Sequence, residues 1–182
     1  MEEHSDTRKT RISRCTRGKP AIYQWIGQPI KSENEFPTPL EIGNHFANII
    51  AKDKFISGAL TYYSYEAFRI RIATAIAAKI KHASLGMLAA GSDVVPLASA
   101  GHRPLFEIRW EARYAYLRGG ATVHIRQYVG EPSAEPNLIL GLHAHEKAVS
   151  GSPAEIRILQ NAQIFIAIQH FDQWQGAQTC EQ

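Results

Sequence analysis

Residues 104–110 read PLFEIRW, and they begin the stretch of sequence that decides the fold. Apolar and charged residues alternate along it, which is the period-2 pattern of a strand with one buried face. Residues 121–129, ATVHIRQYV, repeat that pattern, and residues 137–145, NLILGLHAH, make a third extended segment. Residues 152–155, SPAE, then open a helix. We therefore expect three consecutive strands and a helix that follows the last of them.

The second of these strands has one apolar and one polar face. Its polar face carries His124, Arg126 and Tyr128, because these residues alternate with Val123 and Ile125. Polar side chains on an otherwise apolar sheet indicate a site rather than only a scaffold. A shift of one residue in the strand register would exchange the two faces, so the register decides which face of this strand meets the site.

Two helices are predicted ahead of the sheet. Thr38 is a capping residue, with proline at the first helical position and glutamate at the third, and the apolar spacing continues this helix to about Lys54. The second helix has Ser64 as its cap and an apolar stripe that ends near Ser84. Residues 21–26 form a short strand or edge segment before both helices.

These elements predict a single α+β domain over residues 21–172. Its N-terminal helices pack on a small, mainly antiparallel sheet, together with a C-terminal helix from Pro153 to about Phe171. Residues 1–20 are polar and basic, and we expect them to form a flexible tail. Residues 173–182 are expected to form a second tail.

Composition limits the class of protein. A chain of 182 residues with 45% hydrophobic residues can bury a core. No apolar run approaches the roughly 20 residues that cross a bilayer, and no apolar segment of a secretory signal follows the N-terminal charges. Cys15 and Cys180 are too few for a disulfide framework. We therefore expect a protein of the reducing cytoplasm, with no membrane partner.

The net charge of +3 is unevenly distributed. Of the 20 basic and 17 acidic side chains, six and three respectively lie in residues 1–19, which leaves fourteen of each sign in residues 20–182. The folded part therefore has no global field that would attract nucleic acid. If it binds RNA, a local basic cluster must do so.

A family resemblance rests on three segments taken in order. The sequence LFEIR (residues 105–109), then VHIRQYV (123–129), then LGLHAHEKAVSGSPAEI (140–156) resembles the HigB-like toxins of the RelE/ParE superfamily. The chain departs from their pattern in three places. His145 stands where a phenylalanine is expected, Ala148 stands where a second lysine is expected, and the segment between the first two strands is long.

The resemblance implies a RelE-like fold and the toxin half of a bacterial toxin–antitoxin pair. Such a toxin cuts mRNA on the ribosome and arrests translation. Its implied partner is a small antitoxin, often a helix-turn-helix DNA-binding protein, and no cofactor is implied. By position, Arg126 (or His124) corresponds to the phosphate-binding arginine of the second strand. Lys147 corresponds to the first lysine after the third strand.

The residue types suit that chemistry. Metal-free RNA cleavage needs a base for the 2′-hydroxyl, cations for the charge on the phosphate, and an acid for the leaving oxygen. The candidate catalytic residues are Arg109, His124, Arg126 and Lys147. The candidate RNA-binding residues are Arg109, Arg126, Tyr128 and Lys147.

Two alternatives stay open at this point. The first is a non-catalytic binding protein on the same scaffold, which blocks a cellular target as ParE-type toxins do with gyrase. The second is a small metal-dependent enzyme. His143 and His145 lie two residues apart on a strand and therefore share a face, where Glu146 and His124 can complete a metal site.

Overall fold

The computed structural model describes residues 11–113 and 122–180, and within these ranges the chain has the predicted α+β fold. Its helices and strands are β1 (Ile22–Trp25), α1 (Pro39–Ile56), α2 (Tyr62–Ser84), β2 (Val94–Pro96), β3 (Leu105–Arg113), β4 (Thr122–Gly130), β5 (Leu138–Glu146) and α3 (Pro153–Cys180). The strands form one sheet in the order β1-β5-β4-β3-β2. β1 runs parallel to β5, and the other neighbouring strands are antiparallel. Residues 114–121, between β3 and β4, lie outside the described residues.

The sheet lies between two layers of helix. α1 and α2 cover one face, where Val123 and Ile125 of β4 pack with Ile72 of α2. α3 covers the opposite face, where Tyr128 of β4 packs with Phe171. Alternation along β4 thus divides its residues between two separate cores, as the period-2 pattern predicts.

A β-bulge interrupts that alternation in β5. Tyr128 pairs with His143 and the next residue, Val129, pairs with Gly141, so Leu142 is an extra residue in β5. A bulge of this kind lets two successive residues of one strand face the same way. The residues of β5 on the α3 side are Leu138, Leu140, Leu142, His143 and His145.

The first two helices begin at capping boxes. Thr38 accepts a hydrogen bond from the Glu41 backbone N–H, and the Glu41 carboxylate accepts one from the Thr38 N–H at 2.6 Å, as predicted. The predicted cap of α2 is wrong. Thr61 caps this helix, and Ser64 is its third residue, whose hydroxyl oxygen accepts a hydrogen bond from the Thr61 N–H.

The C-terminal helix is longer than predicted. It continues past Phe171 to Cys180, so the expected tail is wrong for residues 173–180. Trp174 explains the extension, because its ring stacks on Phe171 with centroids 6.5 Å apart and packs against the α3 core. None of the helices in the described ranges is long and apolar enough to cross a bilayer.

The expected flexible tail is also wrong for residues 11–20, and residues 1–10 lie outside the described ranges. Cys15 is fully buried, and a 3-10 turn holds it in place. The buried carboxylate of Glu131, at the end of β4, accepts hydrogen bonds from the Ser13 hydroxyl at 2.5 Å and the Arg14 N–H at 2.9 Å. The N-terminal segment is therefore part of the domain.

Arg14 joins this segment to the β4–β5 turn. Its guanidinium donates to the backbone carbonyls of Pro132, Glu135 and Leu138 at 2.5–2.9 Å. Arg14 therefore stabilises the fold, and its guanidinium is not available to bind nucleic acid.

Arg14→Ala is expected to lower the free energy of unfolding by about 2 kcal/mol, because it removes charged donors from three carbonyls. Urea unfolding followed by circular dichroism measures this change. Arg17→Ala is the matched control, since among the described residues the Arg17 guanidinium donates only to the exposed Ile12 carbonyl. Equal effects of the two substitutions would contradict the structural role of Arg14.

Candidate functional site

Polar side chains of the three central strands gather on the α3 side of the sheet. Arg109 of β3 lies opposite Arg126 of β4, and Arg126 lies opposite His145 of β5. Glu107, Tyr128 and His143 form the next row along the strands, beside this one and on the same face. The two rows form what we call the polar cluster: Glu107, Arg109, Arg126, Tyr128, His143 and His145.

The bulge in β5 is the reason that both histidines belong to the polar cluster. With strict alternation, His143 and His145 would lie on the face opposite Leu140, against α1 and α2. The extra residue Leu142 shifts the alternation by one. The leucines of β5 and its two histidines therefore all meet α3.

The carboxylate of Glu107 holds the two arginines. Its Oε1 accepts from Nε of Arg109 at 2.5 Å and from Nε of Arg126 at 3.0 Å. Nε2 of Gln160, on α3, donates to Oε2 at 3.5 Å. Burial lowers the pKa of Arg126 from its ordinary value, and the charge of Glu107 opposes that shift. Two guanidinium charges share one carboxylate charge, so the group has a net positive charge.

These three charged groups differ greatly in exposure. Glu107 is 1% exposed, whereas the side chain of Arg126 is 12% exposed and that of Arg109 is 41% exposed. Of the three guanidinium nitrogens of Arg109, only Nε has an acceptor within the described residues. The positive charge therefore reaches solvent mainly through the terminal nitrogens of Arg109.

Tyr128 and His145 form a neutral hydrogen-bonded pair. Nδ1 of His145 lies 2.9 Å from the Glu146 carbonyl, which can only accept, so Nδ1 carries the proton. Nε2 then accepts from the Tyr128 hydroxyl at 3.2 Å. Desolvation by burial lowers the pKa of His145 to about 4, so the imidazole is neutral at pH 7. Burial also raises the pKa of Tyr128 above its ordinary value.

His143 connects the polar cluster to α3. Its Nε2 lies 2.6 Å from Oε1 of Gln163, and its buried Nδ1 has no hydrogen-bond partner in the described part of the chain. Its ring stacks on that of His145 with centroids 5.7 Å apart. Burial lowers the pKa of His143, so this imidazole is also held in its neutral form.

Lys147 and His124 lie at the edge of the polar cluster. The Lys147 N–H donates to the His124 carbonyl at 2.7 Å, which places both residues at one end of β4 and β5. His124 Nδ1 lies 2.9 Å from the carboxylate of Glu111 on β3. A cavity of about 200 Å³ opens between this end of β5 and the first turns of α3. Its lining includes His145, Lys147, Gln160 and Gln163.

The structure brings some predicted site residues together and separates others. Arg109, Arg126 and Tyr128 lie side by side as the alternation predicts. Lys147 and His124 lie at the edge of the polar cluster and are not part of the group formed by Arg109, Arg126 and Glu107. Sequence reasoning missed Glu107 as a site residue, although its position two residues before Arg109 on a strand places it on the same face. Nothing in the sequence pointed to the glutamines of α3.

The alternative metal site does not form. The rings of His143 and His145 stack instead of converging, and His124 pairs with Glu111. Glu146 pairs with Lys54 at 2.6 Å. Across residues 11–113 and 122–180, no group of three or more His, Cys, Asp or Glu side chains is placed to hold a metal ion.

Comparison of the chain with protein-family models, with curated proteins and with solved structures finds no match. The chemistry of the polar cluster must therefore be argued from its own geometry.

Glu107→Ala is expected to lower the free energy of unfolding by about 3–5 kcal/mol, because it leaves the largely buried Arg126 without its counter-charge. Chemical denaturation gives the value. Asp172→Ala is the control, since it breaks the exposed ion pair with Arg103 and is expected to cost at most about 1 kcal/mol. A loss for Glu107→Ala as small as that of the control would contradict the central place of this carboxylate.

The free energy of unfolding is expected to fall as the pH drops from 6.5 to 4. In this window the unfolded chain, in which the His145 pKa is ordinary, binds a proton that the folded protein, with a pKa of about 4, does not bind. The shift corresponds to roughly 3 kcal/mol at most. Urea unfolding at several pH values should give a smaller fall for His145→Gln than for His102→Gln, which removes an exposed imidazole. Identical pH profiles for the two variants would refute the buried, neutral state of His145.

Proposed function

We propose that this protein is the toxin component of a toxin–antitoxin pair. In this proposal it is a metal-independent endoribonuclease that cuts mRNA on the ribosome and arrests translation. The observation that carries the proposal is the polar cluster itself. Two arginines with a net positive charge lie directly beside a neutral tyrosine–histidine pair on the same face of the sheet.

The arginines suit the phosphate. The terminal nitrogens of Arg109 are accessible, and Arg126 lies across from it in the register. Fixed guanidinium groups in a partly desolvated site stabilise charge that develops on a scissile phosphate more strongly than water does. In the proposal, Glu107 fixes the orientation of both groups through their Nε atoms, and the phosphate contacts the other nitrogens.

Neutral His145 suits the role of base. Its Nε2 carries a lone pair that can take the proton of a 2′-hydroxyl, in place of the hydrogen bond from Tyr128. The single negative charge of a phosphodiester nearby favours the imidazolium form, so substrate binding raises the pKa of His145 toward the working pH. In the proposal, Lys147, which lines the cavity, binds the RNA backbone.

The proposed function implies a partner protein and a cellular compartment. A small antitoxin, in the helix-turn-helix class that the resemblance implies, would cover the cluster and keep the toxin inactive. Action on ribosome-bound mRNA places the protein in the cytoplasm. The chemistry of the proposed residues needs no cofactor.

One observation favours the second candidate, a non-catalytic protein that blocks a cellular target. Tyr128 is fully buried, and Gln160 and Gln163 of α3 cover Glu107 and His143. A substrate reaches the row of Glu107, Tyr128 and His143 only if the first turns of α3 move. A blocking protein needs no such movement, because its outer surface alone contacts the target.

Induced expression in a bacterial host distinguishes these functions. We expect rapid growth arrest with new mRNA 5′ ends for the wild-type protein, and loss of both for Arg109→Ala, since Arg109 is exposed and its removal spares the core. Arg103→Ala, on the exposed pair with Asp172, is the control and should arrest growth like the wild type. Arrest with intact mRNA would favour target blocking. Normal growth of the wild-type strain with intact mRNA would contradict both toxin functions in that host.

A further inference from the structure

An exposed aromatic surface lies where α1 ends and α2 begins. Tyr62 and Tyr63 are 82% and 93% exposed, and Phe55 is 45% exposed. Together with Tyr65 they line an open groove of about 600 Å³, which lies in the size range of small-ligand sites. We call this the aromatic surface: Phe55, Tyr62, Tyr63 and Tyr65.

Tyr62 and Tyr63 are held on a rigid element but left uncovered. The capping box between Thr61 and Ser64 fixes the first turn of α2, which carries both exposed tyrosines. The Tyr62 and Tyr63 rings meet edge to face with centroids 5.9 Å apart, so the edge of one ring covers one face of the other and the remaining ring faces are open. Folding does not need rings in this position, because they contribute little to the core.

The charge around the aromatic surface is positive. Lys52 lines the groove, and no acidic side chain in the described part of the chain pairs with it. The one carboxylate in the lining, that of Glu66, is bound by the guanidinium of Arg69 through Nε at 2.9 Å. Aromatic rings beside an uncompensated lysine suit a ligand with flat, apolar faces and negative charge.

The aromatic surface also lies next to the proposed cleavage site. Lys54, which precedes Phe55 in α1, pairs with Glu146 at the end of β5 at 2.6 Å. Glu146 lines the cavity that also contains His145 and Lys147. The Lys54–Glu146 ion pair thus connects the end of α1, beside the groove, with the lining of the cavity on the α3 side of the sheet.

We propose that the aromatic surface binds unpaired RNA bases that flank the cut phosphate, by stacking on Tyr62 and Tyr63. The inference rests on the proposed ribonuclease function, and it adds a base-binding site that the polar cluster does not provide. Unpaired bases expose two flat faces, and proteins that bind single strands hold them on aromatic rings beside basic side chains. A chain whose bases lie in the groove passes its backbone toward Lys147 and Arg109.

Binding of a fluorescent, single-stranded 2′-O-methyl oligoribonucleotide tests this proposal, because the methylated strand binds but is not cut at the 2′-hydroxyl. Tyr62→Ala/Tyr63→Ala should raise Kd about 10-fold or more, since stacking on one ring contributes about 5- to 150-fold. Tyr62→Phe/Tyr63→Phe should bind like the wild type, because stacking needs the ring and not the hydroxyl. An abasic strand of equal length should bind all three proteins equally weakly.

The outcomes separate the two proposals. Equal binding of the oligoribonucleotide by the alanine variant and the wild type would overturn the stacking site, even if cleavage is intact. So would wild-type binding no tighter than that of the abasic strand, and the surface would then point to a protein partner. Stacking-dependent binding together with unaltered mRNA in expressing cells would instead keep the base site and overturn the ribonuclease.

Discussion

The extra residue in β5 is the constraint on which the candidate site depends. Leu142 shifts the alternation of the strand, so that leucines at one end and histidines at the other face the same helix. The leucines pack against the middle of α3. His145 lies opposite Arg126 and His143 lies opposite Tyr128. Gly141, beside the bulge, has no room for a side chain because the rings of Tyr23 and Trp25 occupy that space. One irregular step in a strand thus fixes both the position of α3 and the composition of the polar cluster.

Burial then divides the polar cluster into parts with different electrostatic character. Glu107 is the buried counter-charge that allows two arginines to lie side by side, since alone they would repel each other. Tyr128 of β4 and His145 of β5 are desolvated and stay neutral. A positive region therefore borders a neutral region capable of proton transfer. That division supplies two of the three groups that the proposed metal-free cleavage of RNA needs, the cations and the base, and it arises from the depth of each residue under α3.

The sequence predicted the α+β class, the three central strands and the helix that follows them, because alternation and capping are local signals. It also placed Arg109, Arg126 and Tyr128 on one face. The bulge was not predictable, since LILGLHAH reads the same with or without an extra residue. The docking of Ser13 and Arg14 was missed because their partners lie more than 100 residues away. Long-range contacts of this kind leave no periodic pattern.

The glutamines of α3 were missed for a related reason. Gln160 and Gln163 look like ordinary polar residues on a helix, and only the tertiary structure shows that they face Glu107 and His143. They cover Glu107 and His143 through two side-chain hydrogen bonds. Further along the helix, from Ile164, α3 is packed in the apolar core. The account therefore places access to the site at the first turns of α3.

The central claim is that the polar cluster promotes attack by a 2′-hydroxyl without a metal ion. Purified protein incubated with mRNA on intact ribosomes, followed by mass spectrometry of the fragment ends, tests it most directly. The account predicts fragments that end in a 2′,3′-cyclic phosphate, because 2′-hydroxyl attack leaves that group. Intact mRNA, or fragments that end in a free 3′-hydroxyl, would contradict it.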